Sequence, residues 1–149
     1  TNDSPSSISR LLELGVPSYL IKATVRGIMS QRLVRILCSE CKSFAETDPI
    51  AWQQLTQPWK VAMPEKMAQP TGCKKCRDTG YIGRQGIYEV LVSSPRVQAQ
   101  ILPQTDTATI REIAMGEGMQ TLRLSGAARV ALGQTTIEEV MRVAPMLDA

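Results

Sequence analysis

Four cysteines stand in two pairs, Cys38-Ser39-Glu40-Cys41 and Cys73-Lys74-Lys75-Cys76, and the chain has no histidine. Cysteines in this pattern admit three chemistries. Two disulfides would suit a secreted chain, but nothing in the sequence indicates secretion. Thiol redox chemistry needs only one C-x-x-C, with a thiolate activated by its surroundings. Two such pairs fit tetrahedral zinc better, because each puts two thiolates on one tight turn and two turns complete the shell. With Cys38, Cys41, Cys73 and Cys76 all as ligands, no position is left for a water, so the expected site is structural and not catalytic. Lys74, Lys75 and Arg77 form a cationic cluster at the second pair. They read either as solvated charges that compensate the thiolates or as a contact for an acidic partner or anionic lipid. In the latter case each basic residue contributes about 1 kcal/mol near a charged surface.

The elements that must position these cysteines follow from punctuation and period. Asp3-Ser4-Pro5 is a helix start, an oxygen-bearing cap followed by proline in the first turn. Ile8, Leu11, Leu12 and Leu14 form its apolar stripe, and Gly15 stops it. A second helix is expected over residues 18–30, then a strand over residues 32–37 that delivers Cys38. Between the pairs, Asp48-Pro49 opens a helix carrying Trp52 and Leu55, and residues 64–67 suggest one further turn. Trp52, Trp59 and Met63 read as a small core beside the metal.

After Cys76, Gly80, Gly83 and Gly86 recur every third residue. No Lys-Ser or Lys-Thr follows, so this is not a phosphate-cradling loop, and residues 87–92 alternate as a strand does. The expectation is a β-hairpin: a strand at Tyr81-Ile82, a turn over residues 83–86 with Arg84 at its tip, and a second strand over residues 87–92. The last third is a series of capped helices. They open at Ser94-Pro95, Thr107, Thr121 and Thr135 or Thr136, the last pair with glutamate three residues on in a capping-box spacing.

Bulk properties exclude several classes. The 149 residues can bury an ordinary core, and 43% hydrophobic with 21% charged residues is a globular composition. A net charge of +3 with interleaved signs is too mild to argue for a nucleic-acid binder. No apolar run approaches the roughly 20 residues of a membrane-spanning helix. Thr1-Asn2-Asp3 reads as a start inside a longer protein.

With these pieces placed, the sequence resembles the C-terminal portion of the type II secretion and type IV pilus assembly ATPases, over nearly the whole chain. The resemblance rests on Thr1-Asn2-Asp3-Ser4-Pro5 leading into Ser9-Arg10-Leu11-Leu12-Glu13-Leu14-Gly15-Val16, and on Gln31-Arg32-Leu33-Val34-Arg35 before the first cysteine pair. Its most specific part is Gly72-Cys73-x-x-Cys76 followed by residues 79–91, Thr-Gly-Tyr-Ile-Gly-Arg-Gln-Gly-Ile-Tyr-Glu-Val-Leu. Gly118-Met119-x-Thr121-Leu122 and the segment from Thr136 to Val143 complete it.

The resemblance implies an α/β fold, specifically the C-terminal end of a RecA-like P-loop ATPase domain with a small tetracysteine zinc insert and a helical C-terminal subdomain. On this reading residues 1–37 end the ATPase core, 38–76 form the zinc insert, 77–92 the hairpin returning to the core, and 93–149 the helical subdomain. The parent would be a hexameric ATP hydrolase, using ATP and Mg²⁺ on the cytoplasmic face of the bacterial inner membrane. Its partners would be the other subunits of the homo-hexamer and the inner-membrane secretion or pilus platform, with a further contact to anionic lipid and none to nucleic acid. Arg84 would lie near a subunit interface or its nucleotide. The phosphate-binding G-x-x-x-x-G-K-[ST] loop does not occur in the chain, so no catalytic residue is assigned and no ATP hydrolysis is expected from this chain alone. The alternative is a zinc-ribbon-type module binding nucleic acid or protein without motor function. Its usual spacer between cysteine pairs is shorter, roughly 15–20 residues, and the base-stacking aromatics are missing. A J-protein-like chaperone repeat needs glycine two residues after the second cysteine, where Asp78 stands.

Overall fold

A computed structural model describes residues 2–144 of the chain. In chain order the elements are α1 (Ser4–Glu13), α2 (Ser18–Thr24), β1 (Gly27–Leu37), β2 (Ser43–Glu46), α3 (Pro49–Thr56) and β3 (Lys66–Gln69). They continue with β4 (Tyr81–Val92), α4 (Pro95–Ala99), α5 (Thr107–Gly116), α6 (Leu122–Ala131) and α7 (Ile137–Val143). This mixture of helices with small antiparallel sheets is consistent with the α/β class. β1 pairs with β4, and β2 with β3.

The helix starts are local chemistry. Asp3 accepts from Ser6 N–H, Asp48 from Ile50, Ser94 from Val97 and Thr136 from Glu139, each satisfying an amide that lacks an intrahelical partner. Asp106, one residue before the expected Thr107, caps α5 through Ala108 N–H. The helices end as glycine and proline suggest, but Leu14 is 64% exposed and does not extend the stripe of α1.

Three expectations are corrected. The second helix does not reach residue 30. Val25 already has extended backbone and β1 begins at Gly27. The inward positions of β1 include the polar Ser30 and Arg32, which hid its two-residue period. Residues 66–69 form β3, not a helical turn. β3 pairs antiparallel with β2 in the register Ser43 to Gln69 and Glu46 to Lys66, so the insert is held by a small sheet.

The third correction concerns the hairpin, which does not form: residues 81–92 are one strand. At one end Ser93 N–H donates to Arg26 C=O, and at the other Cys38 N–H donates to Gly80 C=O. Gly83, at φ +79, has the left-handed backbone expected of a turn, but uses it inside the strand. Between those two bonds β4 has one residue more than β1, so the pairing contains a bulge. Arg84 therefore sits exposed within a strand and at no tip.

The chain divides into two compact units, Thr1–Gln31 with Tyr88–Leu122, and Arg32–Ile87 with Arg123–Ala149. In the first, Ile8, Ile21, Leu91, Val97, Ile101, Ile110, Ala114 and Met119 form the core. Glu89 is buried there and accepts from the backbone N–H of Ser4 at 2.6 Å and of Leu122 at 3.2 Å. Burial raises its pKa, opposed by those two amides. Asp3 pairs with Arg111 at 2.7 Å.

In the second unit, Val34, Leu37, Trp52, Leu55, Ile87, Val130, Ile137 and Val140 are buried. Of the expected cluster beside the metal, Trp52 is buried and donates its indole N–H to Val61 C=O, Trp59 is half-buried, and Met63 is exposed. Gly126 of α6 lies against Val140 of α7 so closely that a Cβ there would be 2.3 Å from Val140 Cγ1. Valine is stiff at χ1 in a helix and cannot swing away. Gly126→Ala is therefore expected to destabilise the protein by about 2 kcal/mol, despite alanine's better helix propensity. Gly116→Ala, where a Cβ meets nothing within 4 Å, is the control expected to be neutral or slightly stabilising. Thermal unfolding of the two variants reads the contrast.

Candidate metal centre

The four cysteines sit on two turns of the second unit. β1 ends at Leu37 and delivers Cys38, and Lys42 N–H bonds back to Cys38 C=O, closing the first turn around Cys41. In the second, Asp78 N–H bonds to Cys73 C=O, and the Thr79 N–H and hydroxyl both donate to Cys76 C=O. Arg77 and Asp78 take left-handed backbone, at φ 56 and φ 60. That conformation costs an L-residue roughly 1–2 kcal/mol, so the rest of the turn must impose it.

All four Sγ atoms lie within 4.8 Å of one another. Cys38 to Cys73 and Cys41 to Cys76 are each 3.8 Å apart, and Cys73 to Cys76 is 3.7 Å. A tetrahedron with Zn–S of about 2.3 Å has edges of about 3.8 Å, whereas a disulfide requires about 2.05 Å. The cysteines are free thiols, and their separations suit one tetrahedral thiolate-binding ion. The residues present therefore fit zinc.

Backbone amides complete the cradle. Gly72 N–H donates to Cys41 Sγ at 3.3 Å, and Cys73 and Gly80 N–H both donate to Cys76 Sγ at 3.2 Å. Burial pushes the Cys41 thiol up to about 11, only partly countered by Gly72. At Cys76 burial acts in the same direction, but the Gly80 and Cys73 amides together with the Cys73 and Cys41 side chains outweigh it and bring the thiol down to about 6. These amides stabilise negative charge on sulfur, which is what a metal-bound thiolate carries.

From the sequence, Gly80 belongs to the glycine series that leads into the expected hairpin. Its position, four residues after Cys76, was the available signal for an amide aimed at the sulfur. A Cβ at Gly80 would come 2.4 Å from Pro70 Cβ, and its φ is +83. Gly80→Ala is expected to cost about 2–4 kcal/mol through backbone strain and overpacking. Thermal unfolding of the zinc-loaded variant measures it, and zinc affinity is expected to fall in parallel.

The structure brings the four expected ligands together. Lys74, Lys75 and Arg77 are exposed beside them. Lys75 pairs with Glu40 at 3.2 Å, with both side chains more than half exposed, so that ion pair stabilises little. Lys42 reaches from the first turn to Gly133 C=O at 2.9 Å, and Leu37 N–H donates to Gln134 C=O. These bonds join the cysteine turns to the α6–α7 corner.

That corner carries a charge network which the sequence had not suggested. Glu139 was expected to complete a capping box, yet its carboxylate turns to Arg35. It accepts from Arg35 Nε at 3.0 Å, from Nη2 at 3.1 Å and from the backbone N–H at 2.9 Å. Arg142 adds a bond at 3.0 Å, and the Arg35 guanidinium stacks 4.1 Å from the centroid of the Tyr81 ring. Burial would raise the Glu139 pKa, but the bonds from Arg35 outweigh it and hold the carboxyl below its ordinary value.

No helix among the described residues is long and apolar enough to cross a membrane. Residues 1–142 match the family described as Type II/IV secretion system protein. The chain is 43% identical over 146 residues to the type IV pilus assembly ATPase TfpB of Acinetobacter baylyi, an alignment covering 98% of this chain and 25% of that protein. It is 38% identical to the type IV pilus assembly ATPase PilB of Thermus thermophilus, covering 95% of this chain and 16% of that protein. Against the type II secretion system protein E of Pectobacterium carotovorum it is 36% identical, covering 96% and 28% respectively. The chain thus spans between 16% and 28% of the length of these relatives. A family match over residues 1–142, with relatives 36–43% identical across 95–98% of the chain, makes this chain a member of the type II/IV secretion system protein family.

Proposed function

We propose that this chain is the C-terminal part of a hexameric ATPase that powers type II protein secretion or type IV pilus assembly. The observation that carries this reading is the alignment of 98% of the chain with a type IV pilus assembly ATPase at 43% identity. On this reading residues 1–37 end a RecA-like core, 38–76 are the zinc insert, 77–92 return to the core and 93–149 form the helical subdomain. ATP and Mg²⁺ belong to the parent protein, and this chain contributes structure and contacts. Cys38, Cys41, Cys73 and Cys76 hold zinc, which supplies a rigid cross-link between the two turns and no catalytic water. The insert docks to partners, namely the other subunits of the hexamer and the platform at the cytoplasmic face of the inner membrane. Lys74, Lys75 and Arg77 supply a cationic contact for an acidic partner or anionic lipid, and Arg84 lies near a subunit interface or its nucleotide.

A chimera tests the motor reading. Replacing the matching 146 residues of the Acinetobacter relative with this chain is expected to yield a zinc-containing hexamer that hydrolyses ATP, while this chain alone does not. A folded chimera that bound zinc but neither assembled nor hydrolysed ATP would count against the motor role. Salt-sensitive binding of DNA or RNA by the isolated chain would favour the zinc-ribbon alternative.

A further inference from the structure

The sheet of β2 and β3 has two strands, so β3 presents an edge that no described strand pairs. A cavity of about 350 Å³ lies beside it, bordered by Met67, Ala68, Gln69 and Pro70, with Ile137 and Glu138 across from them. Four consecutive residues, Met67 to Pro70, border it, so the cavity follows β3 from its second residue to just past its end. β2 covers one edge, in register from Ser43 to Glu46, which leaves the other to a further strand. Among the residues lining it Glu138 alone is charged, and no ion pair engages it among the described residues.

From this geometry we infer that β3 accepts an added strand from a partner polypeptide, with a lysine or arginine of that strand entering the cavity opposite Glu138. This deepens the docking role proposed for the zinc insert and rests on that reading. Unpaired N–H and C=O groups along an edge supply affinity to any extended chain, and the pocket that receives alternate side chains supplies selectivity. Lys66 at the start of β3 and Pro70 directly after it confine the pairing to the four residues of the strand. The basic side chain follows from the lone carboxylate. The guest is a short extended segment that alternates apolar or basic with polar residues.

The probe is a blocked peptide, Thr-Val-Thr-Arg-Thr-Val-Thr, titrated into the zinc-loaded 149-residue chain and followed by amide NMR. Shifts and slowed exchange are expected at residues 66–70 and 138. Methylating alternate peptide nitrogens should abolish binding, as strand pairing requires. Exchanging the peptide's arginine for glutamate should weaken binding about fivefold, the upper range for a partly exposed ion pair. Glu138→Lys should reverse that preference, an outcome that mere loss of folding cannot produce. Binding that ignores methylation, equal affinity for the two peptides, or no shift at residues 66–70 would overturn the inference. So would a concentration-dependent dimer that the peptide dissociates, because a second copy would then be the occupant. Zinc content is measured on the same sample, and the chimera is assayed separately. Failure here with an active chimera removes the docking site alone, whereas failure of both removes the motor reading as well.

Discussion

Cys76→Ser will abolish stoichiometric zinc binding and remove most of the stability of the second unit, and a strong chelator will do the same to the unsubstituted protein. The magnitude follows from comparing two energies. Structural zinc contributes an apparent binding free energy of about 10–16 kcal/mol in small zinc-dependent folds at neutral pH. The whole net stability of a domain is about 5–15 kcal/mol. The residues between Cys41 and Cys73 have a sheet of two four-residue strands and one short helix to hold them closed. The insert buries few apolar side chains of its own, Trp52, Leu55 and Ala68 among them, so a bound metal would supply much of its closure. Chelation should shift the thermal transition steeply in the unsubstituted protein and leave Cys76→Ser nearly unmoved, since its site is already lost. Hydrogen exchange should show deprotection concentrated between residues 38 and 80. A purified protein with no zinc, whose unfolding ignored the chelator, would remove the metal from the account.

Glu139→Ala is expected to cost about 3 kcal/mol. Removing one partner of a buried pair typically costs about 3–5 kcal/mol, because the remaining charge is stranded. The Glu139 side chain is 3% exposed but that of Arg35 is 45% exposed. Water can therefore reach the orphaned guanidinium, which puts the value at the lower end. A double-mutant cycle with Arg35→Ala measures the coupling, and independent contributions would show that the bidentate geometry is not energetically productive.

The pH dependence gives a second signature. The folded-state pKa of Glu139 lies below its ordinary value of 4.5. Its stabilisation is fully present above that ordinary value and is lost as pH falls through the depressed one. Glu89 runs the other way. Its raised pKa favours the folded state in acid, and a cost of ionisation appears as pH rises above 4.5. The deficit of Glu139→Gln relative to the unsubstituted protein should therefore shrink on acidification, and that of Glu89→Gln should not.

Much of this protein is determined by its sequence alone, wherever the cause is short-range. Helix starts at Asp3, Asp48, Ser94 and Thr136 were legible because a cap needs only a side-chain oxygen and an amide two or three residues on. The cluster of four cysteines that could hold a metal was legible because C-x-x-C places two sulfurs on one turn whatever surrounds it, and the four sulfurs do lie together. What tertiary structure decided is of longer range. Gly83 takes left-handed backbone, which suits a turn as well as a strand irregularity, and only the pairing of β4 with β1 kept it inside a strand. β3 has too few residues to declare a period, and exists because β2 offers it hydrogen bonds. Glu139 had the spacing of a capping box, but an arginine 104 residues away offers its carboxylate three donors and proved the stronger partner. A local pattern states what a side chain can do; where groups distant in sequence compete for the same atom, the fold chooses among them.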